Sequence, residues 1–335
     1  MMFPISIFDA LRAYAESRNI AVTGLKDIIS MCRKVSEGFI DYRSLTGGER
    51  RVAELLWYLG LLTQCIRYDS GRPRLYIGPT SMTLSIAKGD VIPLVLRIGM
   101  WYPMRLLLKY MMWRGGYCTS RDVKRDLGGK VYEVTGELLD ILRQIYGPRK
   151  FKEPVKKPFN RHVIESVFFR LGKELGVLRG DSRHEAQLTE LGYELIRDEP
   201  VILIKTAPKI PLILLAVVSV LQESRQATLV SPWIDLEVVK ILEPLLKNKE
   251  ICVVARQPRK GSQKRALDIL SSYGEVLIYP RLHTKLSLGF SALITSANLT
   301  KTSLLYNIET GIYYREVPLG LKVHVEEIKA SARRY

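Results

Sequence analysis

The sequence has few cysteines and no spacing that would give them a structural role. Its four cysteines form no C-x-x-C pair and no Cys/His cluster, which excludes a zinc signature and a disulfide framework. The sequence also has no P-loop, so any ATP-driven step would need a helicase or ATPase partner. No signal-peptide pattern is present at the N-terminus, which predicts a cytoplasmic protein.

Long apolar runs are scarce as well. The longest, residues 210–221, is interrupted by Pro211 and is too short to span a bilayer, so it predicts a buried helix and no membrane contact. Acidic residues are outnumbered, with 34 Asp and Glu against 51 Lys and Arg, which gives a net charge of +17. Because basic surface gains from displacing counterions along phosphates, the excess favours a nucleic-acid partner.

Three short motifs follow one another near the C-terminus: His283-Thr284-Lys285, Ser296-Ala297-Asn298 and Asn307-Ile308-Glu309-Thr310-Gly311. Residues 283–288 are predicted to form a strand, which puts His283 and Lys285 on one face. An imidazole is suited to attack phosphorus or to carry a proton near neutral pH. The Lys285 ammonium and the Asn298 amide are suited to hold a phosphoryl oxygen. A carboxylate such as Glu309 can hold a catalytic imidazole in one tautomer.

The order and spacing of these motifs resemble the phospholipase D superfamily, whose signature is His-x-Lys, then a Gly/Ser-Ser-x-Asn turn, then Asn-x-Glu-x-Gly. The resemblance implies an α/β phospholipase-D-like domain in which two His-x-Lys units meet. One histidine forms a phosphohistidine, the other protonates the leaving group, and no metal or other cofactor is needed. Carried over, His283 becomes the nucleophile or the acid, and Lys285 and Asn298 bind phosphate. Glu309 would orient the imidazole, and Ser296 would line the same turn.

This chain has a single His-x-Lys unit, because no other histidine has a lysine two residues later. The resemblance therefore implies a homodimer that builds one site from two copies. In the superfamily an acidic residue usually follows the lysine by five positions, where this chain has Phe290, and the hairpin that closes through Gly289 is shorter than usual. The alternative interpretation is that His283 and Lys285 are polar residues on a half-exposed strand.

The segment in front of the motifs is predicted to alternate strands and helices, which is the pattern of an α/β layered domain over 201–335. The predicted elements, in chain order, are strand 227–230, helix 236–246, strand 250–255, helix 263–272 and strand 275–279. The segment Ser-Pro-Trp-Ile at 231–234 also resembles the superfamily, where this element faces the active site. Ser231 and Trp233 are therefore candidate substrate-binding residues. The basic residues at 256–260 and at 264–265 are candidates to gate or feed the cleft, but a solvated loop and helix face is the favoured interpretation.

The N-terminal 200 residues are predicted to hold two mainly α, winged-helix-like domains, at 1–90 and 91–200, since helices in each precede a candidate hairpin. The predicted elements of the first are helices 6–16, 23–34 and 48–62 and a hairpin over 63–77 that carries Arg72 and Arg74. Those of the second are helices 103–114, 120–127 and 159–175 and a wing over 176–188 that carries Arg179 and Arg183. Arg161 begins the helix that would enter a major groove.

Residues 147–158 between these elements are rich in proline and lysine and predict an exposed basic loop. Winged helices also serve as protein-contact or dimerisation modules. Nucleic acid and another protein are therefore both candidate partners of these two domains.

These observations favour a metal-independent phosphodiesterase that acts on nucleic acid, a DNA endonuclease in preference to an RNA-cutting enzyme. The alternative is a non-catalytic DNA-binding transcription regulator, in which a phospholipase-D-like domain serves ligand binding or dimerisation. In that case the chain resembles the archaeal sugar-sensing repressors of the TrmB type. A third hypothesis is an accessory subunit in DNA repair or defence that works with a helicase or ATPase.

Overall fold

The structure, a computed structural model of the 335-residue chain, describes residues 3, 5–17, 24–133, 159–196, 201–205 and 211–335. These residues form two compact units. The first comprises those up to residue 133 together with 159–196, and the second comprises those from residue 201 onward. The predicted basic loop at 147–158 lies outside the described residues.

The first unit begins with helices followed by a hairpin. Its elements are α1 (Ile7–Ser17), α2 (Leu25–Ser36), β1 (Ile40–Asp41), a 3-10 turn (Tyr42–Ser44), α3 (Gly47–Tyr58), β2 (Leu62–Asp69) and β3 (Arg72–Pro79). Helix α3 begins after Thr46 because the Thr46 hydroxyl accepts the Glu49 N–H, while the Glu49 carboxylate accepts the Thr46 N–H. Ser70 and Gly71 both have positive φ, at 49° and 76°, as the two-residue turn of a twisted hairpin requires. The predicted hairpin is therefore present.

A second set of helices and short strands completes the first unit. Its elements are α4 (Ser81–Ala87), α5 (Ile92–Met100), α6 (Tyr102–Trp113), β4 (Tyr117–Thr119), α7 (Ser120–Asp122, continuing in wider turns over Val123–Gly128), α8 (Arg161–Val163, wider turns over Ile164–Phe169, then Arg170–Glu174), β5 (Leu178–Arg179), β6 (Glu185–Leu188) and α9 (Glu190–Glu194). The unit's two three-stranded sheets have the orders β1–β3–β2 and β4–β6–β5. In both, the last strand lies between the other two, so the two sheets share one connectivity.

Aromatic rings and one neutralised carboxylate fill the interior of the first unit. Phe168 on α8 has its ring centroid 5.5 Å from that of Phe159 and 5.5 Å from that of Trp101, and all three side chains are buried. Glu16 on α1 is 1% exposed and pairs with Arg12 at 2.6 Å. Because burying a lone carboxylate is costly, this pair is what makes the position of Glu16 tolerable.

The second unit alternates strands and helices. Its elements are β7 (Val201–Lys205), α10 (Leu212–Glu223), β8 (Gln226–Val230), α11 (Leu236–Leu246), β9 (Glu250–Ala255), α12 (Gly261–Ser271), β10 (Gly274–Ile278), β11 (Leu286–Leu288), β12 (Ala292–Thr295), α13 (Lys301–Leu305), β13 (Thr310–Tyr314), α14 (Leu319–Ala330) and β14 (Arg333–Arg334). The expectation of an α/β unit is confirmed at the level of fold class. None of the helices in the described ranges is long and apolar enough to cross a membrane.

The strands of the second unit form one mixed sheet, in the order β14–β10–β9–β8–β11–β12–β13–β7. Strands β8, β9 and β10 are parallel to one another, and the remaining neighbours are antiparallel. Helix α14 packs Val325 and Ile328 against Val230, Val254 and Leu286 in the middle of the sheet. The apolar run predicted to be a buried helix is α10, with ten buried residues.

Candidate active site

The predicted motif residues lie at one edge of the eight-stranded sheet. Because β8 and β9 are parallel neighbours, the residues that follow them, Ser231 and Arg256, reach the same edge. Strand β11 is antiparallel to β8, so the segment just before it, with His283 and Lys285, is also at this edge. Strand β12 is antiparallel to β11 and ends here, followed by Ser296. The edge thus gathers polar side chains from four strands.

Strand β11 begins three residues later than predicted, at Leu286, so the strand expected over 283–288 is wrong in its first half. Its pairing with β8 stops there because β8 ends, and the next residue, Ser231, donates its N–H to β9 instead. The pairing with β12 continues one residue further, since the Lys285 carbonyl accepts the Thr295 N–H at 3.1 Å. The His-x-Lys segment therefore pairs with β12, at Lys285, and not with β8. The His283 side chain is exposed.

The pKa of Lys285 depends on partial burial and on two neighbouring charged groups, Arg256 and Glu309. The Lys285 Nζ donates to the His283 carbonyl oxygen at 2.8 Å, and this hydrogen bond keeps the ammonium beside the backbone of the His-x-Lys motif. Partial burial lowers the pKa of Lys285, the Arg256 guanidinium lowers it further, and Glu309 opposes the shift. The ammonium therefore loses its proton more readily than that of a solvated lysine.

Glu309 is buried beside the end of β12. It is 8% exposed, and its carboxylate accepts hydrogen bonds from the Ser296 hydroxyl and, at 3.3 Å, from the Asn307 amide. The Ser296 oxygen in turn accepts the Thr310 N–H at 3.1 Å. These bonds give the carboxylate a fixed orientation where β13 begins.

The loops that follow β8 and β12 are joined through Ser231. This residue is fully buried, and its hydroxyl accepts the Leu299 N–H at 3.0 Å and donates to the Trp233 carbonyl at 2.8 Å. The Asp235 N–H donates to the Leu299 carbonyl at 3.0 Å. Asn298 is thereby held beside the β8 loop, and its Oδ1 is buried with no hydrogen-bond donor in reach among the described residues. The Ser231 hydroxyl is thus occupied by the backbone.

Arg256, for which a solvated loop was the favoured interpretation and a role in feeding the cleft the alternative, lies at this edge. Its Nε donates to the Leu282 carbonyl at 2.6 Å, directly before His283. Its guanidinium carbon lies 5.5 Å from the centroid of the Trp233 ring, and that of Arg259 lies 5.0 Å from the same centroid. The signal for this residue was its position directly after a strand parallel to β8, since ligands of open α/β sheets bind beyond the carboxyl ends of such strands.

Phe290, where the superfamily usually has an acidic residue, lies at the opposite end of β11 from Lys285. It is 74% exposed on the turn into β12, and its N–H donates to the Ser224 hydroxyl at 2.8 Å. A Cβ at the preceding residue, Gly289, would collide with that hydroxyl. The short turn is therefore closed by Ser224, and the missing acidic residue removes no group from the candidate site.

Five arginines of the first unit were predicted to contact nucleic acid, and most of them already have a partner. The contacts are Arg74 with Asp69 (3.0 Å), Arg161 with Glu165 (2.8 Å), Arg179 with Gln187 (3.1 Å) and Arg183 with His184 (3.2 Å). Arg72 is exposed, and no carboxylate of the described residues lies within ion-pair distance of it. Neither unit, in its described parts, has a group of three or more His, Cys, Asp or Glu side chains placed to hold a metal ion.

The chain is similar to several solved structures at low identity. These include Nuc, a phospholipase D family member from Salmonella typhimurium (13% identity, 40% of this chain and 97% of that chain, TM-score 0.35). NucT from Helicobacter pylori has 11% identity over 40% of this chain and 99% of that chain, with a TM-score of 0.35. TrmBL2, an archaeal chromatin protein, has 12% identity over 89% of each chain, with a TM-score of 0.31. No protein-family model and no curated protein matches the sequence.

Proposed function

We propose that the second unit is a metal-independent phosphodiesterase that acts on nucleic acid, a DNA endonuclease of the phospholipase D type. The proposal is carried by one observation. An exposed imidazole, an ammonium and a buried, hydrogen-bonded carboxylate lie at the same edge of the sheet: His283, Lys285 and Glu309. These are the groups that attack on phosphorus requires.

In the proposed reaction a nitrogen of His283 attacks the phosphorus atom of a phosphodiester. The P–N bond forms as the P–O bond to the leaving strand breaks, and the histidine of a second copy gives that oxygen its proton. Water then attacks the phosphohistidine and yields its proton to the second histidine, and the P–N bond breaks. Both histidines return to their starting protonation states, so the cycle needs no further reactant.

The neighbouring residues fit supporting roles in this reaction. Lys285 retains N–H donors besides the one bonded to the His283 carbonyl, and a phosphoryl oxygen is a suitable acceptor for them. Asn298 would add an amide donor, and Glu309 would orient the imidazole. Ser296 would act through Glu309, to which its hydroxyl donates. Ser231 would act as a positioning residue, since its hydroxyl joins two backbone segments.

One His-x-Lys unit supplies half of such a site, so we propose that the active form is a homodimer in which two edges face each other. The first unit would deliver the protein to DNA through its two hairpin-bearing sheets, with Arg72, Arg179 and Arg183 as wing arginines that have no carboxylate partner among the described residues. A helicase or ATPase partner and a cytoplasmic location remain predictions from the sequence.

The test is cleavage of labelled single- and double-stranded DNA and RNA in excess EDTA. Wild type is expected to cut at least one of them, and His283→Ala is expected to lose about 10³-fold or more of the rate while still binding the substrate. His324→Ala is the matched control, because His324 is exposed on α14 and lies outside the site. Unchanged cleavage by His283→Ala would contradict the proposed attack by His283.

A non-catalytic DNA-binding regulator is the second candidate. It is favoured by the repeated sheet connectivity of the first unit, which takes up more than half of the described residues, and by the presence of a single His-x-Lys unit. In that case the edge at His283 would bind a ligand or a second copy. Tight DNA binding by wild type and by His283→Ala, with no cleavage of any of the four substrates by either, would select this function.

A further inference from the structure

The loop between β9 and α12, together with the start of α12, carries a cluster of cations. Five of them lie within ten residues: Arg256, Arg259, Lys260, Lys264 and Arg265. Among the described residues, no carboxylate lies within ion-pair distance of Arg256 or Arg259. The first turn of α12 contains no acidic residue either, although the positive end of a helix dipole favours one. This clustering costs repulsion that an external anion would relieve.

Two of these arginines are held in place by an aromatic ring instead of a carboxylate. The guanidinium carbons of Arg256 and Arg259 lie 5.5 and 5.0 Å from the Trp233 ring centroid, and Arg256 is tied to the Leu282 carbonyl through Nε. A stack on Trp fixes a guanidinium without using its N–H donors, and those donors match the geometry of a phosphate. The pair is therefore organised for binding an anion before any ligand arrives.

Arg256 and Arg259 lie next to the candidate site. Leu282, which accepts from Arg256, immediately precedes His283, and the charge of Arg256 lowers the pKa of Lys285. A group that influences Lys285 electrostatically lies close to the phosphate that Lys285 would hold. A phosphodiester with a single phosphate would not need a second cationic group here, whereas a polynucleotide presents further phosphates on both sides of the bond that is cut.

We propose that Arg256 and Arg259, stacked on Trp233, form a clamp for a phosphate next to the scissile one, so that the site takes a polynucleotide strand. This clamp rests on the proposed function for its place beside the reacting phosphate. Its binding role can be tested without cleavage. Trp233, predicted to bind substrate, would act through the two guanidinium groups as a positioning residue.

The experiment measures equilibrium binding of a fluorescent oligonucleotide to the full chain in a His283→Ala background, over a range of salt concentrations. Adding Arg256→Ala with Arg259→Ala is expected to weaken binding about 10- to 100-fold and to reduce the salt slope by about 1 to 2. The control removes two charges elsewhere, with Arg225→Ala and Lys247→Ala. Both control residues are exposed near the amino-terminal ends of β8 and β9, at the opposite edge of the sheet. The control is expected to change affinity less than twofold.

Two further variants separate charge from geometry. Arg256→Lys with Arg259→Lys keeps both charges and is expected to restore the salt slope but only part of the affinity, because a lysine lacks the planar fork. Trp233→Leu keeps both arginines and is expected to weaken binding by a smaller factor than the double alanine variant. Equal affinity and equal salt slope for the double alanine variant and its control would overturn the clamp.

The clamp and the proposed function fail differently. If binding depends on Arg256 and Arg259 but wild type cuts no substrate, the clamp stands and the phosphodiesterase does not. If wild type cuts an oligonucleotide and Arg256→Ala with Arg259→Ala leaves its KM and its salt dependence unchanged, the phosphodiesterase stands and the clamp does not.

Discussion

The arginines of the first unit and those beside the candidate site differ in what surrounds them. In the first unit Arg74 and Arg161 lie 3.0 and 2.8 Å from carboxylates. Beside the site, Arg256 and Arg259 lie against an indole ring. Several arginine charges of the first unit are therefore already balanced by neighbouring carboxylates, whereas the charge at the sheet edge is open to an external anion. Formal charge and available charge are different quantities in this chain.

The paired arginines are part of what holds the first unit together. Glu165 accepts from the Ser120 hydroxyl at 2.6 Å and from Arg161 at 2.8 Å, and its carboxylate lies 2.8 Å from the His184 ring. These contacts tie α7, α8 and the residue before β6 to one carboxylate. The comparison therefore predicts that removing a paired charge affects folding, and that removing an unpaired one affects binding.

The largest expected effect on stability comes from Glu165. Glu165→Ala leaves Arg161 and the Ser120 hydroxyl without their common acceptor, so the free energy of unfolding should fall by about 2–3 kcal/mol in urea titrations. Arg259→Ala, which removes an unpaired charge, should change it by less than about 0.5 kcal/mol. Equal destabilisation by the two variants would show that the paired and the unpaired charge contribute alike to folding.

The same carboxylate predicts an acid-dependent loss of stability. Burial raises the pKa of Glu165, but hydrogen bonds from Ser120, Arg161 and His184 outweigh burial and lower it from 4.5 to about 2. A depressed pKa gives stability that is fully present above pH 4.5 and is lost as the pH falls towards 2. The difference in unfolding free energy between wild type and Glu165→Gln should therefore shrink across this window. A constant difference from pH 7 to pH 2 would contradict the assignment.

A smaller effect should follow from the coupling of Arg256 to Lys285. Arg256→Ala removes one cause of the lowered Lys285 pKa, so the alkaline limb of the cleavage profile should move to higher pH. Arg256→Lys keeps the charge and should leave the limb where it is in wild type. If both variants shift the limb equally, the coupling does not arise from charge.

The smallest effect separates two neighbouring arginines of the first hairpin. Arg72→Ala should weaken duplex binding about two- to fivefold, because this side chain has no carboxylate partner among the described residues. Arg74→Ala should weaken it less than twofold, since Asp69 and Asp41 already balance that charge. Fluorescence anisotropy at low salt can resolve the two. A larger loss for Arg74→Ala would reverse the expected order.

Local patterns predicted much of the second unit. Helix 236–246 and strand 250–255 have the predicted bounds, because an amphipathic repeat and a continuous apolar run are strong short-range signals. Predicted strand 227–230, helix 263–272 and strand 275–279 differ from the observed elements by one or two residues at their ends, whereas strand 283–288 begins three residues late. Element ends depend on caps and on pairing partners, which a local pattern does not contain.

The site was harder to predict where it depends on contacts between distant parts of the chain. Motif spacing selected His283, Lys285 and Glu309, which the fold brings to one edge. It could not indicate that Ser231 joins a loop 68 residues away, or that Arg256 bonds the carbonyl before His283. The ion pair of Arg161 with Glu165 could have been predicted from the sequence, because the two residues are one helical turn apart.

In the proposed function, this chain carries half of a phosphodiesterase site, and a second copy supplies the other half. The most direct test mixes wild-type and His283→Ala subunits at known ratios, by co-refolding or coexpression, and measures cleavage in excess EDTA. If both copies must supply His283, activity should follow the square of the wild-type fraction. Activity that follows the wild-type fraction itself would mean that each subunit cuts alone, and it would contradict the shared site.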